Sequence, residues 1–348
     1  MNSSERLKLA INMKKVDRVP NAPYCEAPIC KYYGKSFYSA LMNGNEMAKT
    51  HLVALEKYKY DWIVVGMALT GGIIPEALGC KVDYPEDAFP IIRERPIKKI
   101  SDIDKISSCN FYTAKMEEFL KGVSILKAKL RDKVPIACGY TSPFIIYSRI
   151  RGVTELMEDI YMNPDLVHEL QKALVPVDIE IGRALINAGV KYILYGADME
   201  CPLLISPQSY KDFVDSPTTE VVNELNKIGG DVLIHMCGPI VETGIVDMLM
   251  KMDIKGIMPG NLTASTVLDL RELKNKVEDR ICIFGNINPN GKLLIGTPQE
   301  VDEEVKLCLE KAKGWRGYIF SNSGTISSNT PKENFEAMNE AVKKYGAI

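Results

Sequence analysis

Short apolar runs, rich in β-branched and aromatic residues, alternate along the chain with longer stretches whose apolar positions return every three to four residues. The first kind reads as buried strands, the second as amphipathic helices. Strands are expected at 61–66, 134–140, 190–196, 231–237, 254–258, 280–285 and 317–320. Residues 19–24 make a further extended segment, because Pro20 and Pro23 and their neighbours resist helix. Helices are expected at 3–15, 45–58, 111–131, 153–161, 164–188, 207–228, 239–251, 264–276 and 298–312, and from Pro331 onward. Ser3 or Ser4 is a candidate cap for the first. Thr297-Pro298-Gln299-Glu300 and Thr330-Pro331-Lys332-Glu333 each signal a helix start by threonine, proline and glutamate.

Such alternation implies parallel strands joined by crossover helices. About eight strands favour an α/β fold closed as a (β/α)8 TIM barrel, with no dinucleotide-type glycine fingerprint after the first strand. The expectation is one barrel domain over 1–348, residues 1–60 giving an N-terminal helical extension and the first strand. Composition then narrows the partners. The net charge is -2, with acids and bases mixed, so neither nucleic acid nor an anionic membrane surface is indicated. No apolar run approaches a membrane span, and the N-terminus lacks a signal-peptide pattern, so a cytoplasmic protein is expected. Nine cysteines without regular spacing read as reduced thiols rather than a disulfide framework.

Chemistry in such barrels sits where strands end. The run Asp231-Val232-Leu233-Ile234-His235-Met236-Cys237-Gly238 is the most informative, since residues two apart on a strand share a side and His235 and Cys237 can converge. Imidazole and thiolate are both good zinc ligands, although a core strand with two polarisable residues fits the same spacing. Other strand ends deliver Asp198, Glu200 and Cys201, then Asn286 and Asn288, then Ser321, Asn322 and Ser323. Each also has a plain structural reading as a turn former, a cap or solvated loop. Tyr140, Tyr147 and Tyr195 are candidates to line a pocket, whereas His51 and His168 fall on helices and read as structural.

Over nearly its whole length the chain resembles the uroporphyrinogen decarboxylase superfamily, which includes the cobalamin-dependent (corrinoid) methyltransferases. The landmarks are Glu76-Ala77-Leu78-Gly79, Ser142-Pro143-Phe144 with Arg151-Gly152, Leu204-Ile205-Ser206-Pro207, His235-Met236-Cys237-Gly238, Gly285-Asn286-Ile287-Asn288-Pro289 and Thr330-Pro331-Lys332-Glu333-Asn334. The family has a (β/α)8 barrel. Its decarboxylase branch carries a basic segment near the N-terminus, where this chain has Ala27-Pro28-Ile29-Cys30-Lys31-Tyr32, and an aspartate where this chain has Leu69 or Thr70. A many-charged tetrapyrrole is poorly held without those groups, so the resemblance points to the methyltransferase branch.

That branch binds zinc through a His-x-Cys pair, matched by His235 and Cys237, and a third cysteine, where this chain has Ser323. The favoured replacement is Glu200, giving His235, Cys237 and Glu200 around Zn(2+) with one open position. Cys201 as the ligand, with Glu200 as acid or base, is the other repair; Asp198 and Asp215 are further candidates. Asp198, Glu200 and Tyr140 are the expected catalytic groups, and Asn286, Asn288 and Ser323 the expected cofactor contacts. The resemblance implies methyl transfer between a small donor (methyl ether, alcohol or amine) or thiol acceptor and a cobalamin carried on a separate corrinoid protein. No Asp-x-His-x-x-Gly segment is present to bind cobalamin in this chain. The alternatives are a uroporphyrinogen decarboxylase and a metal-free small-molecule-binding barrel.

Overall fold

The computed structural model describes residues 1–86, 88–262 and 266–347. Its strands are β1 (Ile63–Val65), β2 (Lys81–Asp83), β3 (Ile91–Glu94), β4 (Ile136–Thr141), β5 (Val190–Gly196), β6 (Asp231–Met236), β7 (Gly256–Pro259), β8 (Cys282–Phe284) and β9 (Tyr318–Ile319). Seven of them form a parallel sheet in the order β1-β4-β5-β6-β7-β8-β9. The segment around Asn21 closes it. Phe320 N–H donates to Pro20 O and Ala22 N–H to Phe320 O, both at 2.9 Å, while Asp61 N–H donates to Asn21 O at 2.6 Å. The eighth stave is only a bridge because Pro20 and Pro23 have no N–H to give a ladder. The expected (β/α)8 barrel is the fold.

Parity decides what faces inward. Trp62, Val64, Ala137, Tyr192, Leu194, Leu233, Met258, Cys282, Phe284 and Ile319 form one buried cluster, with Trp62 and Phe284 stacked at 5.6 Å. The intervening residues Ile63, Ile193 and Ile234 belong to the larger cluster shared with the surrounding helices. With Leu233 inward, His235 follows it, and with Leu194 inward, Gly196 and the chain beyond it follow.

Several boundaries depart from expectation. The first helix is Ser3–Ile11, and its cap is Asn2 rather than Ser3 or Ser4: the Asn2 side chain accepts from Glu5 N–H, and Glu5 returns the bond to Asn2 N–H. The helix expected at 239–251 shrinks to Ile245–Leu249, since Pro239 lacks a donor and Gly244 sits at φ 75°. That expected at 207–228 divides into Pro207–Phe213 and Asp215–Lys227. That expected at 264–276 is Leu270–Val277, residues 264 and 265 lying outside the described residues. Thr297 caps its helix with Glu300, but Thr330 caps nothing and its hydroxyl is buried without a partner. The antiparallel pair β2–β3 and the short helices Ala27–Tyr32, Phe37–Met42 and Pro143–Ile150 are additions to the expected elements. Among the described residues, no helix is long and apolar enough to cross a membrane.

Candidate metal centre

The C-terminal end of β6 puts His235 and Cys237 on the inner side of the barrel, and β5 brings Asp198 beside them. One ligand atom from each of the three lies within 4.8 Å of the others. His235 Nε2 is 3.5 Å and Cys237 Sγ 3.6 Å from Asp198 Oδ1. Ligand atoms around a tetrahedral zinc stand roughly 3.3–3.8 Å apart, given bonds of about 2.0–2.3 Å, so both distances to Asp198 match that spacing, and imidazole, thiolate and carboxylate are donors that ion accepts. On the other side of the ring, His235 Nδ1 faces the Met258 carbonyl at 3.1 Å. A carbonyl only accepts, so Nδ1 carries the proton and Nε2 is left with its lone pair toward the cluster. Burial, with Asp198 and Cys201 adding to it, pushes the Cys237 thiol up to about 12. Only a bound cation would make it a thiolate at neutral pH.

Two glycines make room for this arrangement. A Cβ on Gly260 would stand 2.4 Å from Cys237 Sγ and 3.1 Å from His235 Cε1. One on Gly324 would stand 4.0 Å from His235 Nε2, so the loop after β9 forms the opposite wall.

Glu200, expected as the third ligand, stands outside the cluster, whose third member is Asp198, one of the further candidates. The turn closed by Glu200 N–H to Ala197 O reverses the chain and carries the Glu200 carboxylate into the interior. Its carboxylate is enclosed, and burial pushes it up to about 8, with the neighbouring Ser142 hydroxyl opposing and Asp178 and Asp198 adding to the rise. Cys201 is buried, and neither it nor Asp215 joins the cluster.

The cluster opens on a cavity of about 410 Å3 lined by Tyr24, Thr70, Tyr140, Arg149, Asp198, His235, Cys237, Asn261 and Ser323 among others. Ser323 Oγ hydrogen-bonds Asn261 Oδ1, and Asn261 Nδ2 donates to Asn288 Oδ1 at 3.2 Å. Asn288 also accepts from Asn290 N–H at 2.9 Å, so it braces two lining residues from behind. Asn286 is committed elsewhere, its Nδ2 donating to Leu268 O at 2.7 Å. Tyr140 lines the cavity with its hydroxyl donated to Asp178 O at 2.7 Å. Tyr195 and Tyr147 do not line it: the first donates to Asp178 Oδ2 and the second to Asp159 Oδ2. Tyr24, Arg149 and Asn261 were not anticipated, and Thr70 was expected only as a place where the decarboxylase branch has its aspartate. Tyr24 fills the space over Gly139, where a Cβ would meet its hydroxyl at 2.4 Å.

The chain is similar to methylcobamide:CoM methyltransferase MtbA of Methanosarcina mazei, with 23% identity over 345 residues covering 98% of this chain and 97% of that one. It is similar to MtaA of the same description from Methanosarcina barkeri, with 24% identity over 346 residues and 98% of both chains. A uroporphyrinogen decarboxylase of Vesicomyosocius okutanii is 27% identical over 296 residues, 78% of this chain and 76% of its own. Among solved structures, a methyltransferase from Methanosarcina mazei matches with a TM-score of 0.83 and 21% identity over 99% of both chains. The family model for uroporphyrinogen decarboxylase (URO-D) matches residues 2–345, and the chain belongs to that family.

Proposed function

We propose that this protein is a zinc-dependent methyltransferase, moving a methyl group between a small molecule in the cavity and the cobalt of a corrinoid carried by a separate protein. The observation that carries the reading is the Asp198–His235–Cys237 cluster at the mouth of a barrel, open on one side to a cavity. Similarity to the two methylcobamide:CoM methyltransferases supports the corrinoid partner. Zinc held by these ligands supplies a Lewis acid with one exchangeable position.

The chain's own residues do the rest. The Met258 carbonyl fixes the His235 tautomer. Asp198, more than half exposed, comes from the loop and closes the ligand set beside Cys237. A carboxylate donates less charge than the thiolate it replaces, which favours activation of an oxygen-bound methyl group over a thiol acceptor. Tyr24, Tyr140 and the loop 323–325 wall the cavity, and a partner protein seated on the mouth would complete its closure.

The test is to incubate zinc-loaded protein with methylcobalamin and a panel of thiols, and with cob(I)alamin and methyl ethers, alcohols or amines. The transfer is followed by the cobalt absorbance. Transfer in one direction that is lost in His235→Ala is expected; a His235→Ala variant that keeps both its metal and its activity would reject this centre. The decarboxylase reading is opposed by Thr70 lining the cavity where that branch has its aspartate. Release of carboxyl groups from uroporphyrinogen by this protein would restore it.

A further inference from the structure

Strand register sets three residues on one level at the mouth. Thr141 of β4 pairs with Gly196 of β5, and Gly196 pairs with His235 of β6. All three line the cavity. Neighbouring strands lie about 4.8 Å apart, so the Thr141 and His235 backbones stand on the order of 9–10 Å from each other. Only a glycine lies between them.

Two observations mark this gap as a place for a ligand. The first is the glycine itself. Gly196 is not among the glycines with positive φ, so its backbone does not require glycine, and glycine weakens a strand. At Gly139 and Gly260 the protein fills the space: a Cβ would meet the Tyr24 hydroxyl or Cys237 Sγ, each at 2.4 Å. On Gly196 a Cβ would meet one atom from elsewhere among the described residues, the Tyr140 carbonyl oxygen at 3.3 Å. The second is the Thr141 hydroxyl. Thr141 is 3% exposed, and its Oγ1 is enclosed without a hydrogen-bond partner. The next hydroxyl along, Ser142 Oγ, is used at once, accepting from Ile145 N–H at 3.0 Å. Buried hydroxyls are as a rule bonded. Any ligand that displaces solvent from this cavity has to bond Thr141 or leave it buried and unpaired.

We propose that the small substrate lies over Gly196, with its reacting end at the Asp198–His235–Cys237 cluster and an oxygen at its other end hydrogen-bonded to Thr141 Oγ1. This rests on the reading of the cavity as the methyl-transfer site. It makes Thr141 and Gly196 specificity-determining residues. The substrate class is a short bifunctional molecule, carrying a thiol or a methyl-bearing oxygen at one end and a hydroxyl or carbonyl oxygen a few bonds away. A one-carbon compound such as methanol is too short to reach both.

Ligand pairs that differ only by hydroxyl for methyl test it. On zinc-loaded protein, 2-mercaptoethanol is compared with 1-propanethiol by calorimetric titration. On zinc-free protein, 2-methoxyethanol is compared with methyl propyl ether by ligand-observed NMR titration. The wild type is expected to bind the hydroxyl member about fivefold or more tightly, the worth of one neutral hydrogen bond in a buried site. The ratio should fall to one or below in Thr141→Val and return in Thr141→Ser, which keeps the hydroxyl and guards against a folding defect. Gly196→Ala should weaken both members of each pair about tenfold while zinc content per chain stays at the wild-type value, since its methyl group takes the ligand's space. A hydroxyl preference in either pair that Thr141→Val abolishes supports the proposal. Equal binding of the two members, a preference that survives Thr141→Val, undiminished binding in Gly196→Ala, or no binding in either pair would overturn it. Hydroxyl preference in the zinc-free pair with no thiol binding by zinc-loaded protein would count against the methyl-transfer reading alone and leave the Thr141 seat standing.

Discussion

At Gly260 the absence of one carbon decides whether the cluster can exist. Its missing Cβ leaves the space that Cys237 Sγ and His235 Cε1 occupy. Gly260→Ala is expected to weaken zinc binding on the order of 10–100-fold, as displaced supports of metal ligands do. The far-UV circular dichroism should stay unchanged, and competition with a chromogenic chelator reads the affinity. Ser323 allows the opposite change. Its hydroxyl bonds Asn261 Oδ1 beside the cluster, so Ser323→Cys is expected to offer a thiolate and raise zinc affinity by about tenfold or more, in the same assay. The histidine and cysteine were legible in the chain because strand parity alone places them. That Asp198 rather than Glu200 lies beside them was not, because it depends on a turn after the strand whose direction no periodicity encodes. Arg149 was invisible for a related reason: its helix, Pro143–Ile150, is short and apolar almost throughout, so one charged residue within it carried no pattern.

Elements are joined here by buried acids. Asp61, fully buried at the foot of β1, accepts from Arg6 Nη1 at 2.6 Å, Arg18 Nη1 at 2.7 Å, Ser3 Oγ at 2.8 Å and Asn21 N–H at 2.7 Å. It thereby ties the first helix and the closing stave to the sheet. Asp61→Asn leaves Arg18 without its carboxylate and Arg6 with Asp17 alone, and a loss of about 3–5 kcal/mol is expected in urea unfolding. Glu26 does a similar job above β1, accepting from Met67 N–H at 2.7 Å and Gly66 N–H at 3.3 Å at the entry to the Leu69–Ile73 turn. Burial outweighs those bonds and pushes its carboxyl from 4.5 up to about 7. Between those two values the folded chain keeps a proton that the unfolded chain has released, so Glu26 costs stability progressively as pH rises through that window. Glu26→Gln is expected to flatten the fall in unfolding free energy between pH 5 and 7, measured by urea titration at each pH. An unchanged slope would contradict this role. Long helices such as Pro164–Ala188 were legible from their periodicity. The β2–β3 pair and the short helices were not, being too brief for a period to register.

For the whole molecule, closure of the barrel sets the function. Seven regular strands and one proline-limited stave bring the ends of β5, β6 and β9 to one mouth, so residues 198, 235 and 323 meet although they are far apart in the chain. The alternation of strand and helix made this architecture readable from residue order alone. The contents of the mouth were only partly readable, since loops supply most of them. The central claim is that Asp198, His235 and Cys237 hold a zinc ion there. Zinc content per chain, measured by mass spectrometry after purification without added metal, tests it most directly. The account predicts close to one zinc per chain in the wild type and in Glu200→Gln, and little in Asp198→Ala, His235→Ala and Cys237→Ser. Full zinc content in Asp198→Ala together with its loss in Glu200→Gln would contradict it.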